Sequence, residues 1–232
     1  MSTGTWARSY DEMVDVLTET LEALEGKLET LSESDWARPT LLRPPMEDKP
    51  SWTVLQLAAH MDFFMGMVNG LVGEAHSGPP ILDRASFCMA ASDRHEVAPA
   101  VYQIMIDHAE GHTPVTVLDA VRGTFKQALE AIRNTPRETV GPAFFGPIRL
   151  DEFVPTRVVE TAVHGIDLTD AIGQRPLDLP RTYQVAAEVL DEVIGRRWIR
   201  GRPADLADDD LAFVRAASGR GPHSDPRLPV VG

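Results

Sequence analysis

Behind a capping box at Ser9-Tyr10-Asp11-Glu12, the residues Tyr10, Met13, Val14, Leu17, Leu21, Leu24, Leu28 and Leu31 recur every three or four positions. This pattern predicts one long amphipathic helix whose apolar stripe has to be covered by other elements. The pattern returns three times. A second helix opens at Thr53 with Gln56 completing its cap, and carries Val54, Leu57, Met61, Phe64, Val68, Leu71 and Val72. A third is expected to be capped at Thr116 with Asp119 three residues on, built on Leu118, Val121, Phe125, Leu129 and Ile132, and stopped by Asn134-Thr135-Pro136. A fourth runs from about Asp151, with Pro155 in its first turn, to Gly173, with Pro176 beyond. Its stripe is Val154, Val158, Thr161, Gly165, Leu168 and Ile172.

The connections are long. Pro39, Pro44, Pro45 and Pro50 force an extended or turning path between the first two helices. Residues 81–112, interrupted by Pro99, are read as one or two short helical pieces, and Pro142, Gly146 and Pro147 mark a further connection. After residue 175 a helix is expected from about Arg181 to Ile199 and a short one near Asp208 to Ser218, followed by a Gly- and Pro-rich tail. No alternating β-branched run predicts a sheet. The sum is an all-α four-helix bundle over residues 1–175, with a C-terminal helical extension and coil tail over 176–232.

Composition narrows the chemistry. With 22 basic and 35 acidic residues the 232-residue chain carries a net charge of −13, a field that repels nucleic acid and anionic lipid. Small molecules or proteins are left as partners. No apolar run is long enough to span a bilayer, and Met1-Ser2-Thr3-Gly4-Thr5-Trp6 lacks a signal-peptide layout, so a cytoplasmic location is expected. Cys88, the single cysteine, excludes a disulfide framework and a multi-cysteine zinc site, so a metal must be held by His, Asp or Glu. Lysine occurs only at 27, 49 and 126; the remaining basic residues are arginine, which reads as the GC-rich coding of a high-GC bacterium.

The fourth helix carries a second row, Arg157, Glu160, His164 and Asp167, spaced three, four and three so that all project along one side next to the apolar stripe. Such groups are costly to desolvate without a partner, and a divalent metal is one candidate. Glu160 and His164, at i and i+4, can share an ion. His60 lies at the margin of the second helix's buried stripe, where the two helices can face each other across a bundle. His60, Glu160 and His164 then supply three ligands and leave a fourth position open, as catalytic zinc sites do.

At these residues the chain resembles the DinB-like metal-binding bundles, and among them the mycothiol-dependent maleylpyruvate isomerase group. Trp52-Thr53-Val54-Leu55-Gln56-Leu57-Ala58-Ala59-His60 is similar to the group's tryptophan-led helix start ending in a ligand histidine. Arg157-Val158-Val159-Glu160-Thr161-Ala162-Val163-His164-Gly165-Ile166-Asp167-Leu168 is similar to its second signature, with a glutamate ligand and a histidine ligand. Phe213-Val214-Arg215-Ala216-Ala217-Ser218-Gly219-Arg220 resembles the Gly-Arg ending of many members. The resemblance implies a divalent metal (zinc foremost; Ni, Mn or Fe as alternatives) that activates mycothiol for attack on a small electrophile; a monomer or a homodimer is open. Arg157 then engages an acidic substrate or thiol moiety, or pairs with Glu160 or Asp167; Asp167 orients His164. One departure stands out: the isomerase continues into a mixed α/β domain, whereas residues 174–232 read as helices and coil.

Other groups have plainer readings. His108 and His112, with Asp107 and Glu110, form a rival imidazole pair but read as a solvated helix end; His76, His95 and His223 read as surface residues. Asp208-Asp209-Asp210 reads as a helix cap, the Met and Phe residues from Met61 to Met67 as bundle core, and Cys88 as inert packing. Two other functions fit the same ligands. One is a non-catalytic bundle that binds a small molecule or a protein, with Pro79 to Ala91 shaping a lip; the other is metal-dependent hydrolysis without a thiol.

Overall fold

The computed structural model describes residues 8–42, 44, 46–74, 76–93, 98–198 and 201–231; His95 and Ile199 lie outside them. Four long helices dominate: α1 (Tyr10–Glu29), α3 (Val54–Gly73), α6 (Pro114–Asn134) and α7 (Leu150–Ala171), with α2 (Glu33–Trp36) in the first connection. Each of the four packs on two of the others, α1 on α7, α7 on α3, α3 on α6 and α6 on α1, and so they close a ring. The first three bury their predicted stripes in one core, which holds Leu17, Leu21 and Leu24 of α1, Leu57, Met61 and Val68 of α3, and Val121 and Phe125 of α6. Caps set the registers. Ser9 accepts from the Glu12 N–H, and Thr53 and Gln56 cap each other reciprocally at the head of α3.

Residues 81–112 hold α4 (Arg84–Asp93) and α5 (Ala98–Ala109), with Pro99 in the first turn of α5, where a missing donor costs nothing. Two expectations at helix starts need correction. The cap of the third long helix lies three residues earlier than expected: Thr113 is the N-cap, Thr116 completes the box, and Pro114 takes the first helical position. α7 begins at Leu150, so Pro155 falls in its second turn, and no side chain caps its start. A minimal antiparallel ladder, β1 (Val140–Gly141) and β2 (Ile148–Arg149), was not legible as a strand pattern because each strand has only two residues. It brings Gly141 so close to α3 that a Cβ there would lie 1.8 Å from the Leu71 carbonyl oxygen. At its far end α7 stops as expected at Gly173, with φ +69°.

Residues beyond 175 do more than append. α8 (Pro180–Arg197), the 3-10 turn Ala204–Leu206 and α9 (Asp210–Ala217, capped by Asp209) form a second core with α4 and the other side of α7. Leu150, Phe153, Val154, Val158 and Leu168 of α7 face the ring, whereas Val159, Ala162, Val163 and Ile166 face α8 and α9. A helix apolar on two sides is buried on two sides, and α7 is therefore the central element. A buried Thr20–Thr182 hydroxyl contact of 2.6 Å ties α8 to α1 as well. Among the described residues no helix is long and apolar enough to cross a membrane.

Candidate metal centre

At about 100° per residue, the row Arg157, Glu160, His164 and Asp167 falls in the seam between the two apolar faces of α7. The bundle core lies on one side and the C-terminal core on the other. Across the seam stands His60 on α3, whose first turn is held by the chain before it. Thr40 N–H donates to the Trp52 carbonyl (2.7 Å), Val54 N–H donates to the Arg38 carbonyl (2.9 Å), and the Trp52 ring lies 5.1 Å from His60.

His60, Glu160 and His164 each bring a donor atom within 4.8 Å of the other two, and among the described residues no other such group of three is found. His164 Nε2 and Glu160 Oε2 are 3.3 Å apart. Ligand atoms around a tetrahedral ion with bonds of about 2.0–2.1 Å stand about 3.4 Å from one another, so this pair already has the spacing of two ligands on one ion. Two imidazoles and a carboxylate suit zinc and its first-row neighbours.

The charges agree. Burial, followed by the nearby His164, pushes His60 down to about 3, which keeps it neutral with a lone pair to give. Burial works to raise Glu160, but the His164 hydrogen bond and the Arg157 charge outweigh it and hold the carboxyl at about 2. For His164 burial acts downward and loses to the hydrogen bonds that it donates to Asp167 and Glu160, which hold it above its usual range. His164 is 8% exposed and Glu160 33%, so the cluster reaches solvent on the glutamate side.

Two residues support the three. Asp167, 3% exposed, accepts from His164 Nδ1 at 2.9 Å; this places a proton on Nδ1 and turns Nε2 toward Glu160. Arg157 is 2% exposed, its Nη2 is 4.0 Å from Glu160 Oε1, and its guanidinium lies 4.4 to 5.5 Å from the rings of Phe153, Phe87 and Phe64. The guanidinium is thus a buried cation stacked among aromatic rings beside the Glu160 carboxylate.

Sequence reading missed three neighbours. Met105 of α5 sets its Sδ 3.1 Å from His60 Nδ1, Tyr102 stacks on Trp52 with centroids 6.1 Å apart, and Arg220 donates to Asp167. The first two lie in the segment around Pro99; Arg220 carried a signal in its Gly-Arg ending but no visible partner. The rival histidines go elsewhere. His108 donates to Asp62 (2.8 Å), which also accepts from Thr124 (2.5 Å), and this ties α5 to α3 and α6 although Asp107, Glu110 and Gly111 beside it are exposed. His223, read as a surface residue, is 10% exposed and pairs with Asp205 at 3.2 Å. That pair lines a surface cleft of about 450 Å³ that shares no residue with the centre. Cys88 is buried, and burial pushes its thiol up to about 12.

Comparison with known proteins places the chain. A family model described as the mycothiol maleylpyruvate isomerase N-terminal domain matches residues 17–169, well over half of the chain, and the chain belongs to that family. Membership classes it with isomerase- or transferase-like enzymes. Two solved structures share the fold: the mycothiol-dependent maleylpyruvate isomerase, with TM-score 0.63, and a histidine-to-alanine mutant of it, with TM-score 0.64. Each is 15% identical and matches over 92% of this chain and 90% of that chain. The similarity thus runs past residue 175, into the part that the sequence set apart as a departure. The comparison with curated proteins found no match.

Proposed function

We propose that this chain is a metal-dependent enzyme of the mycothiol-dependent isomerase or transferase type, acting on a small electrophile. His60, Glu160 and His164 hold the divalent ion, zinc foremost. The observation that carries the reading is the convergence of these three donors from two helices within 4.8 Å, with one ligand pair at the spacing an ion requires. When bound, the ion stabilises the thiolate of a coordinated low-molecular-weight thiol and so makes it a nucleophile at neutral pH.

The chain's own groups do the rest. His60 offers a neutral ring, Glu160 stays anionic beside Arg157, and Asp167 holds the Nδ1 proton of His164 so that Nε2 faces the ion. The Phe64, Phe87 and Phe153 rings around Arg157 keep water from the guanidinium, so its charge acts on Glu160 at low dielectric. Cys88 does not compete as a thiol nucleophile. The family membership and the net charge of −13 support a small-molecule substrate over nucleic acid. A cytoplasmic setting, where such thiols stay reduced, fits the single free cysteine.

The test is elemental analysis of wild type beside His60→Ala and Glu160→Ala, followed by mycothiol titration and an electrophile screen. Near one equivalent of metal, lost in both variants, with turnover only when thiol is present, is expected. Turnover in thiol-free buffer would replace the reading with metal-dependent hydrolysis, and metal without turnover would leave a binding bundle.

A further inference from the structure

α9 ends at Gly219 in the left-handed region, φ +75°, and the Arg220 N–H returns to the Arg215 carbonyl at 2.7 Å. This turn brings the Arg220 side chain back over α7. Its Nε donates to Asp167 Oδ1 at 2.9 Å and its Nη2 to Asp167 Oδ2 at 3.1 Å, while Nη1 donates to the Ser218 carbonyl at 2.5 Å. Asp167 Oδ2 is the same oxygen that accepts from His164 Nδ1. One carboxylate, 3% exposed, is therefore clamped in its plane by a two-pronged guanidinium and passes that orientation to an imidazole.

We infer that Arg220 is a positioning residue for the metal centre, acting through Asp167 on His164. A carboxylate with only the imidazole for partner is free to turn about its own axis, and a buried one is poorly compensated. The second prong removes that freedom. The Nδ1 proton stays on the Asp167 side, and Nε2, whose proton an ion would displace, stays on the side of Glu160 and His60. The C-terminal segment thus belongs to the centre although two residues, Asp167 and His164, stand between Arg220 and the place of an ion: its seating on α7 sets ligand geometry. This inference rests on the metal-binding reading above.

The experiment uses the full chain, with Zn²⁺ competed against a chromophoric chelator and the His164 tautomer read by imidazole nitrogen NMR on metal-free protein, at a pH where the ring is neutral. Loss of a residue that orients a ligand typically weakens metal binding about 10- to 100-fold. Arg220→Gln is expected near the lower end, Asp167→Asn at least as weak, and the double variant no weaker than Asp167→Asn alone. Arg220→Lys, which keeps the charge but not the two-pronged geometry, should fall between wild type and Arg220→Gln and serves if the Gln variant does not fold. In both Arg220 variants the Nδ1–H population should drop. His60→Ala separates the two readings. If it leaves Zn²⁺ affinity unchanged, the metal reading fails, and the tautomer measurement still decides the role of Arg220. If His60→Ala abolishes binding while Arg220→Gln and Arg220→Lys keep wild-type affinity and tautomer, the inference is overturned.

Discussion

His60 and His164 meet edge to face, with ring centroids 4.7 Å apart and planes at 87°, and the Phe64 ring fills the angle between them at 5.3 and 5.8 Å. One ring belongs to α3 and the other to α7, so any group that binds both fastens those two helices together. An ion at 100 times its dissociation constant should raise the unfolding free energy by about 2.7 kcal/mol. Thermal unfolding with added Zn²⁺ and with chelator should differ accordingly in wild type and not in His60→Ala. Equal shifts in both proteins would place binding elsewhere.

Arg157 should matter to the fold before any ion binds. Arg157→Met keeps an unbranched apolar stem but removes the cation that balances Glu160 and contacts three aromatic rings. A fully buried pair broken in this way costs about 3–5 kcal/mol; Glu160 is partly exposed, so about 2–3 kcal/mol is expected in metal-free urea unfolding. Adding Glu160→Gln should recover part of the loss, because the stranded charge is gone.

Cys88 gives a direct readout of burial. Its thiol is pushed up to about 12, by burial first and the Glu160 charge second, so at pH 8 almost no thiolate exists. Ellman's reagent should leave the native protein unmodified and titrate one thiol in denaturant. Cys88→Ala should keep mycothiol-dependent turnover, and its loss there would mean that the protein's own sulfur takes part.

Gly141 permits the contact between β1 and the end of α3. A methyl group there meets the Leu71 backbone at 1.8 Å, and backbone cannot swing aside as a long side chain does. Gly141→Ala should cost at least the about 1–3 kcal/mol typical of overpacking, whereas Gly26→Ala, with open space around it, should be neutral or stabilising.

Acid should loosen the join between α4 and α8. Burial works to raise Asp83, but the two-pronged bond from Arg196 and the Ser86 contacts outweigh it and hold the carboxyl at about 2. A carboxyl lowered in the folded state adds stability that is fully present above its unfolded pKa of about 3.9 and lost as pH falls through about 2. The urea midpoints of wild type and Asp83→Asn should differ at pH 6 and converge between about pH 4 and pH 2. The gap at pH 6 should be small, since Asp83 is 40% exposed.

Much of this was legible along the chain because the relevant rules are local. The caps at Ser9 and Thr53, the stripes of the four long helices and the left-handed stop at Gly173 depend on residues within a few positions of one another. The cap at Thr113 was missed because Thr116, its partner in the box, is itself a good cap residue with an acidic group three positions on. The Asp167–His164 bond was readable from its i,i+3 spacing. The contacts of His60 with Met105, of His108 with Asp62 and of Asp167 with Arg220 were not, since each joins residues from separate helices or from a helix and the tail.

The sequence by itself determined which helices form and which donor atoms they carry: spacing of three and four puts Glu160, His164 and Asp167 on one side of one helix wherever that helix goes. Only the tertiary structure decided that this side is the seam between two cores. The helix spacing shows one apolar stripe beside that row; the second apolar face, Val159, Ala162, Val163 and Ile166, emerges only from the way α8 and α9 cross α7. That crossing buries Arg157 beneath Glu160 and delivers His60 from one side and Arg220 from the other, a convergence set by packing between distant parts of the chain.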